Sequence, residues 1–143
     1  MIVTFDFDGT LWRWGFDPEE GIFCRSCGPD PAALEALREW RNKGVSVHIV
    51  TSRGSSNRSE VDLFTDEWGE LIDGVHFTEG CFKANTLATL GSIIHFDDDL
   101  EELKELEKLE PRVRGVLWKT GHLDENDEVC DPDDERFHFD NWE

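Results

Sequence analysis

The chain is short of positive charge. Of its 143 residues, 14 are lysine or arginine against 33 aspartate or glutamate, a net charge of -19. Such a surface repels polyanions, so a long nucleic acid is not the favoured partner, because neutralisation of phosphates by Lys and Arg supplies most of that affinity. Adaptation to concentrated salt accounts for the same imbalance: acidic surfaces hold hydration, and high ionic strength shortens self-repulsion. In a salt-loving host, or its virus, salt also blunts the argument against nucleic acid. No apolar run is long enough to cross a bilayer. Neither a basic region nor an apolar signal segment precedes the first predicted strand, so a cytoplasmic protein without membrane contact is expected. Internal repeats and long low-complexity linkers are missing as well, and the length then predicts one compact domain.

What is present alternates between strand and helix periods. Apolar strands are predicted at the amino terminus, at Val45 to Val50, Val75 to Phe77, Ser92 to Phe96 and Val113 to Trp118. Between them lie helical patterns: Pro31 to Lys43 with Leu34, Leu37 and Trp40 on one stripe, Asp62 to Leu71, Phe82 to Leu90, and Leu100 to Leu109 with a leucine at every third position. Gly44 is placed to stop the first of these helices. The alternation predicts an α/β fold, a three-layer sandwich with a parallel sheet of about five strands between helices and ligand chemistry at the carboxyl ends of the strands. Trp12 to Asp30, rich in glycine, proline and aromatics, reads as a loop-like insertion over that end. The core is expected to fill residues 1–120, and the acid-dense residues 121–143 read as a solvated extension or loose wrap.

Asp6 and Asp8 stand just beyond the first apolar run and lead into Gly9. Strand alternation turns both acids to one side and Phe5 and Phe7 to the other, so two carboxylates converge where the strand gives out. Neighbouring carboxylates repel, and a bound divalent cation is the ordinary remedy. The run Phe5-Asp6-Phe7-Asp8-Gly9-Thr10-Leu11 resembles motif I of the phosphatase branch of the haloacid dehalogenase superfamily. That resemblance implies a Rossmann-like fold with Asp6 as nucleophile, forming an aspartyl phosphate. Asp8 then acts as the acid that protonates the leaving oxygen and the base that deprotonates the incoming water.

Three further stretches follow in the order the superfamily expects. Thr51-Ser52-Arg53-Gly54 at the end of a strand resembles motif II, where Thr51 and adjacent amides, with Gly9, Ser52 and Arg53, hold phosphate. Lys83, one of five lysines, resembles the motif III lysine that neutralises the nucleophile and the phosphate together. Placed at a helix start, it sits at the less favourable end for a cation, which is understandable with anions nearby. His95-Phe96-Asp97-Asp98-Asp99 resembles motif IV. All-oxygen ligation favours magnesium, implied to be held by Asp6, Asp97 and Asp98 with Asp8, whose carbonyl assists. Asp99 has a simpler role as N-cap of the leucine-striped helix. The segments between motifs are too short for a large mobile lid, so a minimally capped member is expected.

Cys24 and Cys27, spaced as in a zinc knuckle, make half of a tetrahedral site. Cys81 and Cys130 stand alone, and His122 and His138 are substitute ligands without diagnostic spacing, so structural zinc competes with redox or plainly buried cysteines. His48, His76 and His95 lie in predicted strands and read as packed or hydrogen-bonded, while Trp12, Trp14 and Phe16 read first as core cover and second as a stacking surface. The expected substrate is a nucleotide, sugar phosphate or other small phosphate ester, with Arg13, Arg53 and Arg58 as local basic contacts. A polynucleotide terminal 3′-phosphate and a non-catalytic interaction module are the alternatives. Nothing in the sequence sets the oligomeric state.

Overall fold

The computed structural model describes residues 1–137. Five strands form a parallel sheet: β1 (Ile2–Phe5), β4 (Ser46–Thr51), β5 (Gly74–Phe77), β6 (Ser92–Asp97) and β7 (Arg114–Leu117), in the spatial order β5-β4-β1-β6-β7. Helices α1 (Pro31–Asn42), α2 (Ser59–Trp68), α3 (Ala84–Leu90) and α4 (Leu100–Leu109) connect them. The protein is thus a Rossmann-like three-layer α/β sandwich with the predicted number of parallel strands.

From β1 the chain moves outward through β4 to β5, then crosses back to β6 and outward again to β7. Right-handed crossovers send the two halves of such a path over opposite faces. The core follows suit: Ala33, Leu34 and Leu37 of α1 and Val61 and Phe64 of α2 pack with Val3, Phe5, Val47 and Ile49. On the other face Ala84, Leu87 and Leu106 of α3 and α4 pack with Val50. The reversal of strand order beside β1 gathers the carboxyl ends of β4, β1 and β6 around one crevice, the usual ligand position in open α/β sheets. Helix α1 starts where Asp30, as N-cap, accepts the Ala32 amide at 2.9 Å and Pro31 takes the first turn.

Trp12 to Asp30 is not a loop. It forms β2 (Trp12–Asp17) and β3 (Ile22–Pro29), an antiparallel pair whose register slips at two places. These irregularities break the period-two pattern, which is why the segment lacks a strand signature in the sequence. A second correction concerns the acid-rich end. Strand β8 (His122–Leu123) pairs with Trp14 and Gly15 of β2, completing a three-stranded sheet β3-β2-β8. Cys130 and Phe137 are buried against Phe16, with Phe23 beside them. Arg25 ties the pieces together, donating to the Asp124 carbonyl at 2.9 Å and to the Asp127 carboxylate at 3.0 Å. Residues 122–137 therefore carry buried anchors, whereas 138–143, including His138, lie outside the described residues.

Gly121 fixes where this second sheet meets the first. A Cβ there would run into the carbonyl of Gly9, and the Gly121 carbonyl accepts the Trp14 amide at 3.1 Å. Gly9 itself has φ +76, in the left-handed region, and a Cβ on it would collide with the Asp98 carboxylate. Only glycines allow the two backbones and Asp98 to come this close.

Candidate active site

Asp6 directly follows β1, and its amide donates to the Phe96 carbonyl at 2.8 Å, which pins it beside the end of β6. Asp97 ends β6 and Lys83 caps α3. The three meet: the Lys83 ammonium donates to Asp6 Oδ1 at 2.8 Å and to Asp97 Oδ2 at 2.6 Å. Asp98 completes the cluster, since ligand atoms of Asp6, Asp97 and Asp98 all lie within 4.8 Å of one another. Among the described residues this is the one such group of three or more His, Cys, Asp or Glu side chains. It faces a cavity of about 570 Å³ lined also by Asp8 and Ser52.

The electrostatics reflect crowding of like charge. Burial, and then the Asp97 charge, push the Asp6 carboxyl up against the pull of Lys83. Burial and the Asp6 charge do the same to Asp98. Asp97 goes the other way: burial would raise it, but the His95 hydrogen bond and the Lys83 charge outweigh burial and hold it below the usual carboxylate range. Burial would also discharge Lys83, and the Asp6 and Asp97 charges reverse that and keep the ammonium protonated.

A buried relay supports Asp97. His95 Nε2 lies 2.8 Å from Asp97 Oδ2, and His95 Nδ1 lies 2.9 Å from the Thr4 hydroxyl, which in turn meets the Ser92 hydroxyl at 2.9 Å. Burial lowers the pKa of His95 and favours the neutral ring. One tautomer then satisfies the chain, with Nε2–H donating to Asp97 and Nδ1 accepting from Thr4. The reading of His95 as hydrogen-bonded in a strand holds, and the bond falls on a site carboxylate. His48 and His76 pair with each other at 3.0 Å across β4 and β5.

Asp8 stands outside the carboxylate cluster. Arg53 grips it in a fork, Nε to Oδ2 at 2.8 Å and Nη2 to Oδ1 at 2.7 Å, while the Trp14 indole N–H donates to Oδ1 at 2.9 Å. Arg53 also reaches Glu60 at 2.6 Å and lies over the Phe7 ring. Thr51 ends β4 fully buried, its hydroxyl turned back to accept the Arg53 amide at 3.2 Å. Ser52, the next residue, lines the cavity instead. Arg13 and Arg58 do not line it: Arg13 donates to the Cys27 carbonyl and Arg58 pairs with Asp62. Asp99 accepts the Glu101 amide at 2.9 Å as the N-cap of α4.

Cys24 and Cys27 keep separate partners, Cys24 with Asp17 and Cys27 with the Arg25 carbonyl. Neither joins a ligand cluster among the described residues, and all four cysteines are free thiols. Two site residues carried no motif signal. Trp14 holds Asp8 as above, and His122 approaches Asp98 Oδ2 with Nε2 at 3.3 Å. The indole of Trp14, six residues past Asp8 in an aromatic-rich run, was within reach of inference, but His122 comes from the far end of the chain.

No protein-family model matches the chain, and no curated protein matches it. Among solved structures it is similar to a chain in the structure of the Pnkp1/Rnl/Hen1 RNA repair complex, with a TM-score of 0.60 at 14% sequence identity. The match covers 82% of this chain and 42% of that one, so this chain spans less than half the length of its structural neighbour. At that identity the likeness is one of fold. No helix among the described residues is long and apolar enough to cross a membrane.

Proposed function

We propose that the chain is a phosphoryl-transfer hydrolase of the haloacid dehalogenase type. More narrowly, it is a phosphomonoester hydrolase that works through an aspartyl phosphate on Asp6. The observation that carries this reading is the convergence of Asp6, Asp97 and Asp98 within 4.8 Å around Lys83, in a cavity that Asp8 also lines. The donor set is all carboxylate oxygen, and its crowding raises the pKa of two members, so a hard divalent cation fits it. Asp6, Asp97 and Asp98 would hold magnesium, which would supply charge neutralisation for the phosphoryl oxygens; the Asp8 carboxylate, taken up by Arg53 and Trp14, is not part of that set.

In the first step an Asp6 carboxylate oxygen forms a bond to phosphorus while the ester P–O bond breaks, and Asp8 gives its proton to the departing oxygen. Asp8 must leave the Arg53 fork to carry that proton, so substrate binding has to loosen this bridge. In the second step water attacks the aspartyl phosphate, its proton passes to Asp8, and the bond to Asp6 breaks to release phosphate. Lys83 neutralises charge on both Asp6 and the phosphoryl group, the kind of positioning that dominates phosphoryl transfer.

A second reading, removal of phosphate from a polynucleotide end, is favoured by one finding: the structural neighbour belongs to an RNA repair complex. The net charge of -19 opposes it at low salt. Turnover of an aryl phosphate with magnesium, compared between the native protein and Asp6→Asn, tests the enzyme reading. Activity is expected in the native protein and not in the variant; equal turnover in both would show that Asp6 is no nucleophile, and no turnover in either would favour a non-catalytic interaction module.

A further inference from the structure

We infer that the small sheet and the segment after β7 build a leaving-group subsite beside Asp8, made for a planar ring on an otherwise uncharged phosphomonoester, such as a nucleoside monophosphate. The inference rests on the phosphatase reading and deepens it by naming the substrate class. A second cavity, an open depression of about 390 Å³, is lined by Asp8, Gly9, Trp14, Phe23, Cys24, Asp98 and His122. It shares Asp8, Asp98 and His122 with the carboxylate cavity, so the two adjoin across these three side chains. Its volume is that of a small-molecule site, for which about 300–1,000 Å³ is usual.

The direction of the chemistry assigns its occupant. Attacking and leaving oxygens lie on opposite sides of phosphorus in an in-line displacement. Asp6 and Lys83 stand on the attacking side, and the residue that protonates the leaving oxygen must face it. The body of the leaving alcohol therefore passes Asp8 into the second cavity. Three rings line the way there. Trp14 is tethered to Asp8 itself by the 2.9 Å hydrogen bond, and Phe23 meets the His122 ring edge to face at 5.1 Å. Aromatic walls of this kind hold planar rings by stacking, with little regard to which ring it is.

Charge narrows the class further. Lys83 is the one lysine or arginine lining the carboxylate cavity, and the second cavity, whose charged lining is Asp8 and Asp98, has none. A single phosphate is matched by Lys83 and a divalent ion, but a neighbouring phosphate on the same substrate would face carboxylates. A neutral ring alcohol is the leaving group that both cavities accept, and the next nucleotide of a polynucleotide is not.

The test compares kcat/KM for nucleoside monophosphates, glycerol phosphate and an oligonucleotide bearing a terminal phosphate, in the native protein and in Phe23→Leu. Leucine keeps apolar contact with Phe16 and Phe137 but removes the ring. The native protein is expected to favour the nucleoside monophosphates over glycerol phosphate by about tenfold or more, and Phe23→Leu to bring that ratio towards one, mainly through KM. A ratio near one in the native protein, an unchanged ratio in Phe23→Leu, or a preference for the oligonucleotide would each overturn the inference. Calorimetry separates its failure from that of the phosphatase reading. Should no ester be turned over, the phosphatase reading falls; binding of an unphosphorylated nucleoside to the native protein, weakened in Phe23→Leu, would still support the ring subsite. Absence of nucleoside binding in that circumstance would remove the subsite too.

Discussion

Lys83 and Arg53 each bridge two carboxylates, and the two bridges differ in depth. Lys83 joins Asp6 and Asp97 where the three side chains are 3%, 7% and 0% exposed. Arg53, 9% exposed, joins Asp8 and Glu60, which are 36% and 25% exposed. A buried bridge is costly to break because a lone charge is left in a poorly solvated place. In the second bridge the guanidinium is itself buried, but its carboxylate partners are a quarter to a third exposed, so Asp8 can exchange Arg53 for water or ligand at a smaller cost than Asp6 can leave Lys83. In the proposed reaction the deep bridge would serve as fixed framework for Asp6, while the more exposed Asp8 suits a residue that must take up and give away a proton.

The comparison breaks most severely at Lys83. Lys83→Met leaves Asp6, Asp97 and Asp98 converging without a cation, and it is expected to abolish turnover and to lower folding stability in chelator by about 3–5 kcal/mol. Magnesium should restore part of that loss, read from denaturant midpoints with and without the ion; unchanged stability in chelator would mean that the bridge is not a buried ion pair in solution. Next comes the support behind the deep bridge. His95→Phe severs the relay to Asp97 and is expected to weaken divalent-ion affinity about 10–100-fold, as followed by manganese titration with paramagnetic resonance. An affinity equal to that of the native protein would reduce His95 to packing.

Arg53→Lys sharpens the other half of the comparison. It keeps the charge and loses the fork on Asp8, so kcat should change while folding stability moves by less than about 1 kcal/mol. A large stability loss would place Arg53 with the framework instead. The smallest effect is expected at a half-exposed bridge remote from the cavity. Asp73 accepts the Val47 amide at 2.8 Å and pairs with Arg41. Burial works against its ionised form, but the Val47 amide and Arg41 outweigh burial and lower its pKa. A carboxylate with a lowered folded value stabilises above its unfolded pKa and loses that contribution as pH falls through the folded one. Asp73→Asn should therefore cost up to about 1 kcal/mol near neutrality, with the gap from the native protein closing below about pH 4. A gap independent of pH would show that the Asp73 charge is not what stabilises.

The parts legible in the sequence were those with local, periodic causes. The leucine stripe runs over the ten residues of α4, and Asp99 caps it as its position predicts. Asp6, Lys83, Asp97 and Asp98 were named from short motifs, and all four converge. Thr51 and Arg53 were named with them, yet Thr51 turns inward and Arg53 holds Asp8, because their orientation depends on what the neighbouring strands present. The hairpin of β2 and β3 was hidden by glycine, proline and a slipped register. His122 was named only as a stray metal ligand and Phe137 not at all, since their places depend on pairing with, or packing against, a strand more than a hundred residues earlier.

By itself, the sequence determined the order of the five parallel strands and four helices, the acids that follow β1 and end β6, and the lysine that meets them, because periodicity and motif spacing are properties of neighbouring residues. Tertiary structure decided which acids share a cation, which of Thr51 and Ser52 lines the cavity, and that segments from the first thirty residues and from beyond residue 120 build one small sheet beside Asp8. Those outcomes turn on burial and long-range backbone pairing, whose energies exist only once distant segments have come into contact.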